Sequence, residues 1–231
     1  MDKGIKQLSY LHRLFYRIDD KISRRIFGKK IPGFHSFATH IPVLAGICQL
    51  IRPKKILELG PGLFSTVMFT DKNFLTELTN FTSVESEKEW YDNVKEHFAE
   101  KEELHLILAE GGVAGYVATL TEKFDLIFVD DSLTTEDRVN TIRQVGVMNN
   151  KQNAVVVIHD FEVPEYQDAA SSFTNRYIFK YFHPNIGVVW NENSISFDDL
   201  ELLEKKIYKR KWKHAVSDYK DWSNLIDCRK L

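Results

Sequence analysis

The chain has 231 residues, 43% of them hydrophobic and 28% charged, with a formal net charge of −2. That length suits one α/β domain with a terminal extension and is short for two enzyme domains. The composition excludes a disordered chain, and the near-balanced charge gives no reason to expect nucleic acid as a partner. The apolar stretch Ile41 to Ile51 contains Pro42 and falls well short of the roughly 20 residues that cross a bilayer. With no secretory leader pattern at the N-terminus, a cytoplasmic protein without a membrane span is expected. Cys48 and Cys228 are far apart and have no metal-like spacing with a histidine; Cys48, among Leu44 and Ile47, reads as a small buried hydrophobe.

In the first 30 residues, Leu8, Leu11, Phe15, Ile18 and Ile22 recur at helical spacing, with Arg13, Arg17, Lys21, Arg24 and Arg25 on the other sides. This amphipathic helix could cover the site or join two copies in a homodimer. A turn at Ile31-Pro32-Gly33 precedes a second helix, about Thr39 to Leu50, which Arg52-Pro53 ends. Residues 1–52 thus read as a helical extension or lid, and 53–231 as the main domain.

From Lys55 onward, short β-rich runs alternate with helical patterns. The runs are Ile56 to Leu59, Phe81 to Val84, Leu104 to Leu108, Leu126 to Val129 and Val155 to Ile158. The helices between them are Phe64 to Thr70, Glu87 to Phe98, Val113 to Leu120 and Thr134 to Val147, the last opened by a Thr134/Asp137 capping pattern. The alternation predicts a doubly wound, Rossmann-like α/β fold with a mostly parallel sheet. Tyr177 to Phe182 and Gly187 to Trp190, split by the turn His183-Pro184-Asn185, predict a C-terminal antiparallel strand pair. A last helix, about Asp198 to Lys213, carries Leu200, Leu203 and Ile207 on one face, and Trp190, Trp212 and Trp222 are expected to pack around it.

The most informative stretch is Glu58-Leu59-Gly60-Pro61-Gly62-Leu63-Phe64-Ser65-Thr66, between the first strand and a helix. Gly60 and Gly62 allow a tight turn and close approach of a ligand to the backbone, and Glu58 is placed to reach a cationic amino group. A dinucleotide fingerprint would have a third glycine where Ser65 stands. Glu85 ends the second strand, where a carboxylate can accept both hydroxyls of a ribose, and Glu110-Gly111 ends the third. On these residues the sequence resembles the class I S-adenosylmethionine-dependent methyltransferases over about residues 54 to 192. The resemblance implies S-adenosyl-L-methionine as cofactor, held by Glu58, Gly60, Gly62, Ser65, Glu85, Glu110 and Asp130.

The fourth strand ends Val129-Asp130-Asp131-Ser132 and the fifth His159-Asp160-Phe161-Glu162, so both open on the same crevice as the glycine turn. Methyl transfer needs an aligned acceptor and somewhere for its proton to go. Two routes fit. In one, Asp130 and Asp160 hold a divalent cation such as Mg, resembling catechol-type O-methyltransferases, although Phe161 and Leu133 stand where that pattern has Asn and a basic residue. In the other, His159 is the general base, oriented by Asp130 or Asp160. His35, Ser36, Thr39 and His40 precede the core, where a lid over the acceptor would lie. The expected activity is methylation of oxygen on a small molecule or saccharide. An NAD(P)-dependent oxidoreductase and a non-catalytic nucleoside-binding scaffold are the alternatives.

Overall fold

In the computed structural model, the described residues are 38–226 apart from 133, 193 and 212. The N-terminal amphipathic segment, His35, Ser36, Leu133, Trp212 and Cys228 lie outside them, and with them the proposed dimer contact. In chain order the elements are α1 (Ile41–Ile51), β1 (Lys55–Leu59), α2 (Ser65–Phe69), β2 (Asn80–Glu85), α3 (Lys88–His97), β3 (Leu104–Leu108) and α4 (Val113–Thr119). There follow β4 (Leu126–Val129), α5 (Thr135–Asn149), β5 (Val155–Ile158), α6 (Pro164–Ala169), β6 (Asn175–Phe179), β7 (Ile186–Trp190) and α7 (Phe197–Arg210). The strands form one seven-stranded sheet in the order β3-β2-β1-β4-β5-β7-β6. The first five are mutually parallel, and β7 runs antiparallel to both β5 and β6. The expected doubly wound sheet with an antiparallel C-terminal pair is therefore present. No helix among the described residues is long and apolar enough to cross a membrane.

The central strands β4, β5 and β7 are apolar and buried throughout because both sheet faces are covered. Ile56, Phe128 and Val157 face one core with α1 and α7; Leu57, Ile127 and Val156 face the other with α5. The sequence boundary at residue 52 does not separate α1 from the rest: Ile41 through Ile47 are buried in the same core as Leu200, Leu203 and Trp222. Gln49 ties the two ends together, donating to the Trp222 carbonyl and accepting from the Ile226 N–H. Gly46 exists because Leu203 packs there; an added Cβ would lie 2.2 Å from its Cδ1. Gly46→Ala is accordingly expected to cost about 1–3 kcal/mol by overpacking, read from denaturant unfolding.

Chain direction reverses between β1 and β4, since β1 leads outward to β2 and β3 before the chain returns to β4. That is the topological switch point, where the crevice of an open α/β sheet lies beyond the strand carboxyl ends. Register brings these ends level. Leu59 pairs with Val84 and Val129, and Val129 with Ile158. The ladder continues one step further, with Gly60 N–H donating to Val84 O, Asp130 N–H to Leu59 O and His159 N–H to Val129 O. Gly60, Glu85, Asp130 and His159 thus leave the sheet side by side.

Candidate functional site

The turn after β1 is built from beneath. Glu58 is fully buried, and its Oε2 accepts hydrogen bonds from Thr66 Oγ1 at 2.8 Å and Ser83 Oγ at 2.7 Å. Thr66 Oγ1 in turn accepts from the Gly62 N–H at 3.1 Å, so the carboxyl clamps the loop onto α2. From the side, Trp90 Nε1 donates to the Pro61 carbonyl at 2.8 Å. The two glycines do different things. Gly60 sits at φ +89°, and a Cβ there would lie 2.4 Å from the Asp130 carbonyl oxygen, so its missing side chain makes room for the end of β4 rather than for a ligand. At Gly62 the nearest atom to an added Cβ is Ser65 Oγ at 3.4 Å, which leaves the open side of the turn there.

Burial pushes the Glu58 carboxyl up to about 7 against the pull of the Ser65, Ser83 and Thr66 hydroxyls. A folded-state pKa above the ordinary value of 4.5 means the folded chain binds the proton more tightly than the unfolded one. Its stabilising effect is complete below about 4.5 and is lost as pH rises towards 7. Glu58→Gln removes that dependence. The variant's stability relative to the parent is expected to improve from pH 5 to pH 8 by on the order of 1–3 kcal/mol, as read from urea unfolding at both pH values.

Glu85 ends β2 and is nearly buried; its Oε1 accepts the N–H groups of Ser86 and Glu87, both at 2.7 Å. Those bonds, both on one oxygen, fix the carboxyl at the mouth of the crevice. Burial raises its pKa in spite of the two backbone donors. Glu110 is exposed in the turn beyond β3, two residues before Gly112, which adopts φ +85°.

At the ends of β4 and β5 lies a charged cluster with His159 in its middle. His159 is buried, with Nδ1 3.0 Å from Asp130 Oδ1, 3.7 Å from Asp160 Oδ2, and Nε2 3.1 Å from Thr39 Oγ1. An ionised carboxylate can only accept, so the proton sits on Nδ1 and the Nε2 lone pair faces the threonine hydroxyl. Burial opposes the charged ring, but Asp130 and Asp160 together raise its pKa. The same contacts, with Arg138, hold Asp130 below the usual carboxylate range although burial pushes the other way. Asp160, at φ +56°, keeps a third of its side chain exposed (33%), against 23% for Asp130 and 5% for His159.

Arg138 on α5 is the residue that sequence reasoning missed. Its side chain is buried, with Nη1 donating to Asp160 Oδ2 at 2.8 Å, Nη2 lying 3.2 Å from Asp130 Oδ1, and Nε donating to the Asp131 carbonyl at 2.6 Å. The expected Mg between Asp130 and Asp160 finds no support: the Arg138 guanidinium already supplies the positive charge that the two carboxylates share. Asp131 turns away from the crevice and accepts from Thr141 Oγ1 at 2.6 Å; burial pushes its carboxyl up to about 7. Across His159 lies His40, buried, with its ring centroid 5.0 Å from that of His159 and 4.8 Å from Phe128. Burial, and then His159, depress its pKa to about 3, so it is a neutral imidazole.

No family model matches the sequence, and no curated protein does. Solved structures do match by shape. One is a protein from Staphylococcus aureus described as a caffeoyl-CoA O-methyltransferase, with a TM-score of 0.52 and 12% identity over 83% of this chain and 100% of that one. Another is spermidine synthase from Thermotoga maritima, with a TM-score of 0.51 and 13% identity over 77% of this chain and 65% of that one. The fold is that of the class I methyltransferases. A spermidine synthase bound to a transition-state analogue shares it too, with a TM-score of 0.51 and 9% identity over 81% of this chain and 75% of that one. Because the methyltransferase fold carries proteins named for two different activities, the chemistry of this chain rests on its own site residues.

Proposed function

We propose that the protein is an S-adenosyl-L-methionine-dependent methyltransferase acting on an oxygen of a small molecule or saccharide. The observation that carries this reading is the juxtaposition of two things across the switch point: a clamped, open glycine turn, and an Asp130–His159 pair 3.0 Å apart. The residues fit the cofactor. Glu58 Oε1 is a buried oxygen that accepts neither the Thr66 nor the Ser83 hydroxyl, Gly62 leaves its side of the turn clear, and Glu85 presents a carboxyl at the neighbouring strand end. When bound, the cofactor supplies the electrophilic methyl group. Glu58, Gly60, Gly62 and Ser65 would shape its amino-acid end, and Glu85, with Glu110 further out, its nucleoside end.

What the chain's own residues contribute is proton handling and exclusion of water. His159 Nε2 carries the lone pair, so an acceptor hydroxyl loses its proton to that nitrogen either in the place of Thr39 or through the Thr39 hydroxyl. The imidazolium formed is held between Asp130 at 3.0 Å and Asp160 at 3.7 Å, the arrangement in which a carboxylate orients a histidine and stabilises its charged form.

Calorimetry with S-adenosylhomocysteine and with NAD tests the cofactor. Binding of the first is expected, weakened about ten- to hundredfold in Glu85→Ala, which loses acceptors for ribose hydroxyls. Binding of NAD alone would overturn the reading. With an acceptor found by screening with labelled methyl donor, His159→Ala is expected to lower turnover at least about a hundredfold while leaving S-adenosylhomocysteine affinity unchanged. An unchanged rate removes His159 from proton transfer.

A further inference from the structure

The mechanism proposed above leaves one buried imidazole unused. His40, 3% exposed at the start of α1, makes no hydrogen bond through either ring nitrogen among the described residues. Leaving such a group unpaired in the interior costs about 1–3 kcal/mol, and the side chain stands beside His159 and Asp130 rather than in an apolar pocket. One nitrogen of His40, one nitrogen of His159 and one carboxylate oxygen of Asp130 lie within 4.8 Å of one another.

We propose that His40, His159 and Asp130 form a binding site for a borderline-soft divalent transition ion of the zinc class. Two neutral imidazoles and one carboxylate are the donor set such ions prefer, whereas Mg²⁺ takes oxygen donors. The charge balance points the same way. Arg138 offsets part of the negative charge of Asp130 and Asp160, which disfavours a hard cation held by carboxylate charge and leaves imidazole nitrogen as the main attraction. Ligand atoms around a four-coordinate zinc at about 2.0–2.1 Å stand about 3.3 Å apart. The 3.0 Å between His159 Nδ1 and Asp130 Oδ1 is already of that size, and His40, held by no hydrogen bond among the described residues, closes the triad by rotating about its own side-chain bonds. The opposite edge of His159 has the partner a metal-bound imidazole needs, since Nε2–H would donate to Thr39 Oγ1 at 3.1 Å. An ion here uses the same atoms that otherwise share a proton, so the site holds one or the other.

The test needs neither acceptor nor methyl donor, so its failure leaves the methyltransferase reading standing, and failure of that reading leaves this one untouched. The full chain is stripped with chelator, loaded separately with Zn²⁺ and Mg²⁺, desalted, and assayed for metal by mass spectrometry. About one Zn²⁺ per chain and no Mg²⁺ are expected, with zinc lost in His40→Ala and His159→Ala, retained in Asp160→Asn, and bound about ten- to hundredfold more weakly in Thr39→Val. Should the histidine variants fail to fold by circular dichroism, Co²⁺ added to the parent chain decides: visible d–d bands of a nitrogen-ligated ion support the site. Absence of stoichiometric zinc, zinc retained in a folded His40→Ala, or a featureless Co²⁺ spectrum overturns it.

Discussion

Arg138→Met is expected to destabilise the protein by about 3–5 kcal/mol at pH 8, because it removes one partner from a buried charge cluster and leaves the others uncompensated. In the folded chain the guanidinium satisfies Asp160 at 2.8 Å, faces Asp130 at 3.2 Å, and bonds the carbonyls of Asp131 and Ser132. Methionine keeps the volume of the stem against Tyr166 but supplies none of those donors. Asp130 and Asp160 then face each other across one imidazole, and Asp130, which Arg138 helps to hold ionised, is expected to bind its proton more tightly. For groups whose folded pKa rises, stability falls as pH rises. The deficit should therefore be larger at pH 8 than at pH 5, as urea unfolding at the two values would show. Arg138 also lowers the pKa of His159 by its proximity. The variant's His159 should accordingly titrate at higher pH in an NMR titration of the ring protons. A second substitution, Asp160→Asn, should restore part of the lost stability, since the two sites share one network. A loss under about 1 kcal/mol at pH 8 would show that the carboxylates do not depend on the guanidinium.

The sequence made the sheet legible because β4 and β5 are apolar without interruption and the other parallel strands carry apolar runs between helical patterns. The limits of β3, β4 and β5 coincide with the predicted runs, and Thr134 caps α5 by accepting from the Asp137 N–H as its pattern implied. The edge strand was harder. The apolar run Tyr177 to Phe182 suggested a strand there, but pairing with β7 begins at Asn175 and ends at Phe179. Phe182 is apolar because it is a loop residue buried in the core, not because it belongs to the ladder. The short α6, opened by Pro164, has too few residues for a periodic signal.

At the site, strand ends could be read and charge partners could not. Asp130, His159 and Asp160 follow apolar strands and were visible for that reason, whereas Arg138 sits inside a helix among other polar residues. A signal was nonetheless present. Val139, Ile142 and Val145 mark the buried stripe of α5, and Arg138 and Thr141 fall on that stripe, so a cation is carried into the interior and must meet an anion there. Glu58 teaches the converse. Its position before the glycines suggested a ligand-facing carboxylate, and the structure spends one of its oxygens on Thr66 and Ser83, contacts across 8 and 25 positions that only the tertiary fold brings together.

Gly60 carries the second large expectation, because the loop and the end of β4 meet at its missing side chain. An alanine at φ +89° adopts a left-handed backbone that costs a residue with a Cβ about 1–2 kcal/mol by itself. The larger effect is steric. The new carbon would stand 2.4 Å from the Asp130 carbonyl oxygen and 2.7 Å from the Asp131 Cα, both main-chain atoms that no side-chain rotation can clear. Either β1 and β4 separate at their ends, breaking the Asp130 N–H to Leu59 O bond of 2.8 Å, or the turn is displaced from the sheet. Gly60→Ala is thus expected to cost more than about 4 kcal/mol, which belongs to the small class of exceptional single substitutions. Gly62→Ala, whose Cβ meets only Ser65 Oγ at 3.4 Å, should leave stability within about 1 kcal/mol and act on S-adenosylhomocysteine affinity instead. Unfolding curves and calorimetry on the pair separate the two roles. If Gly60→Ala unfolds with the parent's midpoint, the close approach of the two strand ends does not hold the site together.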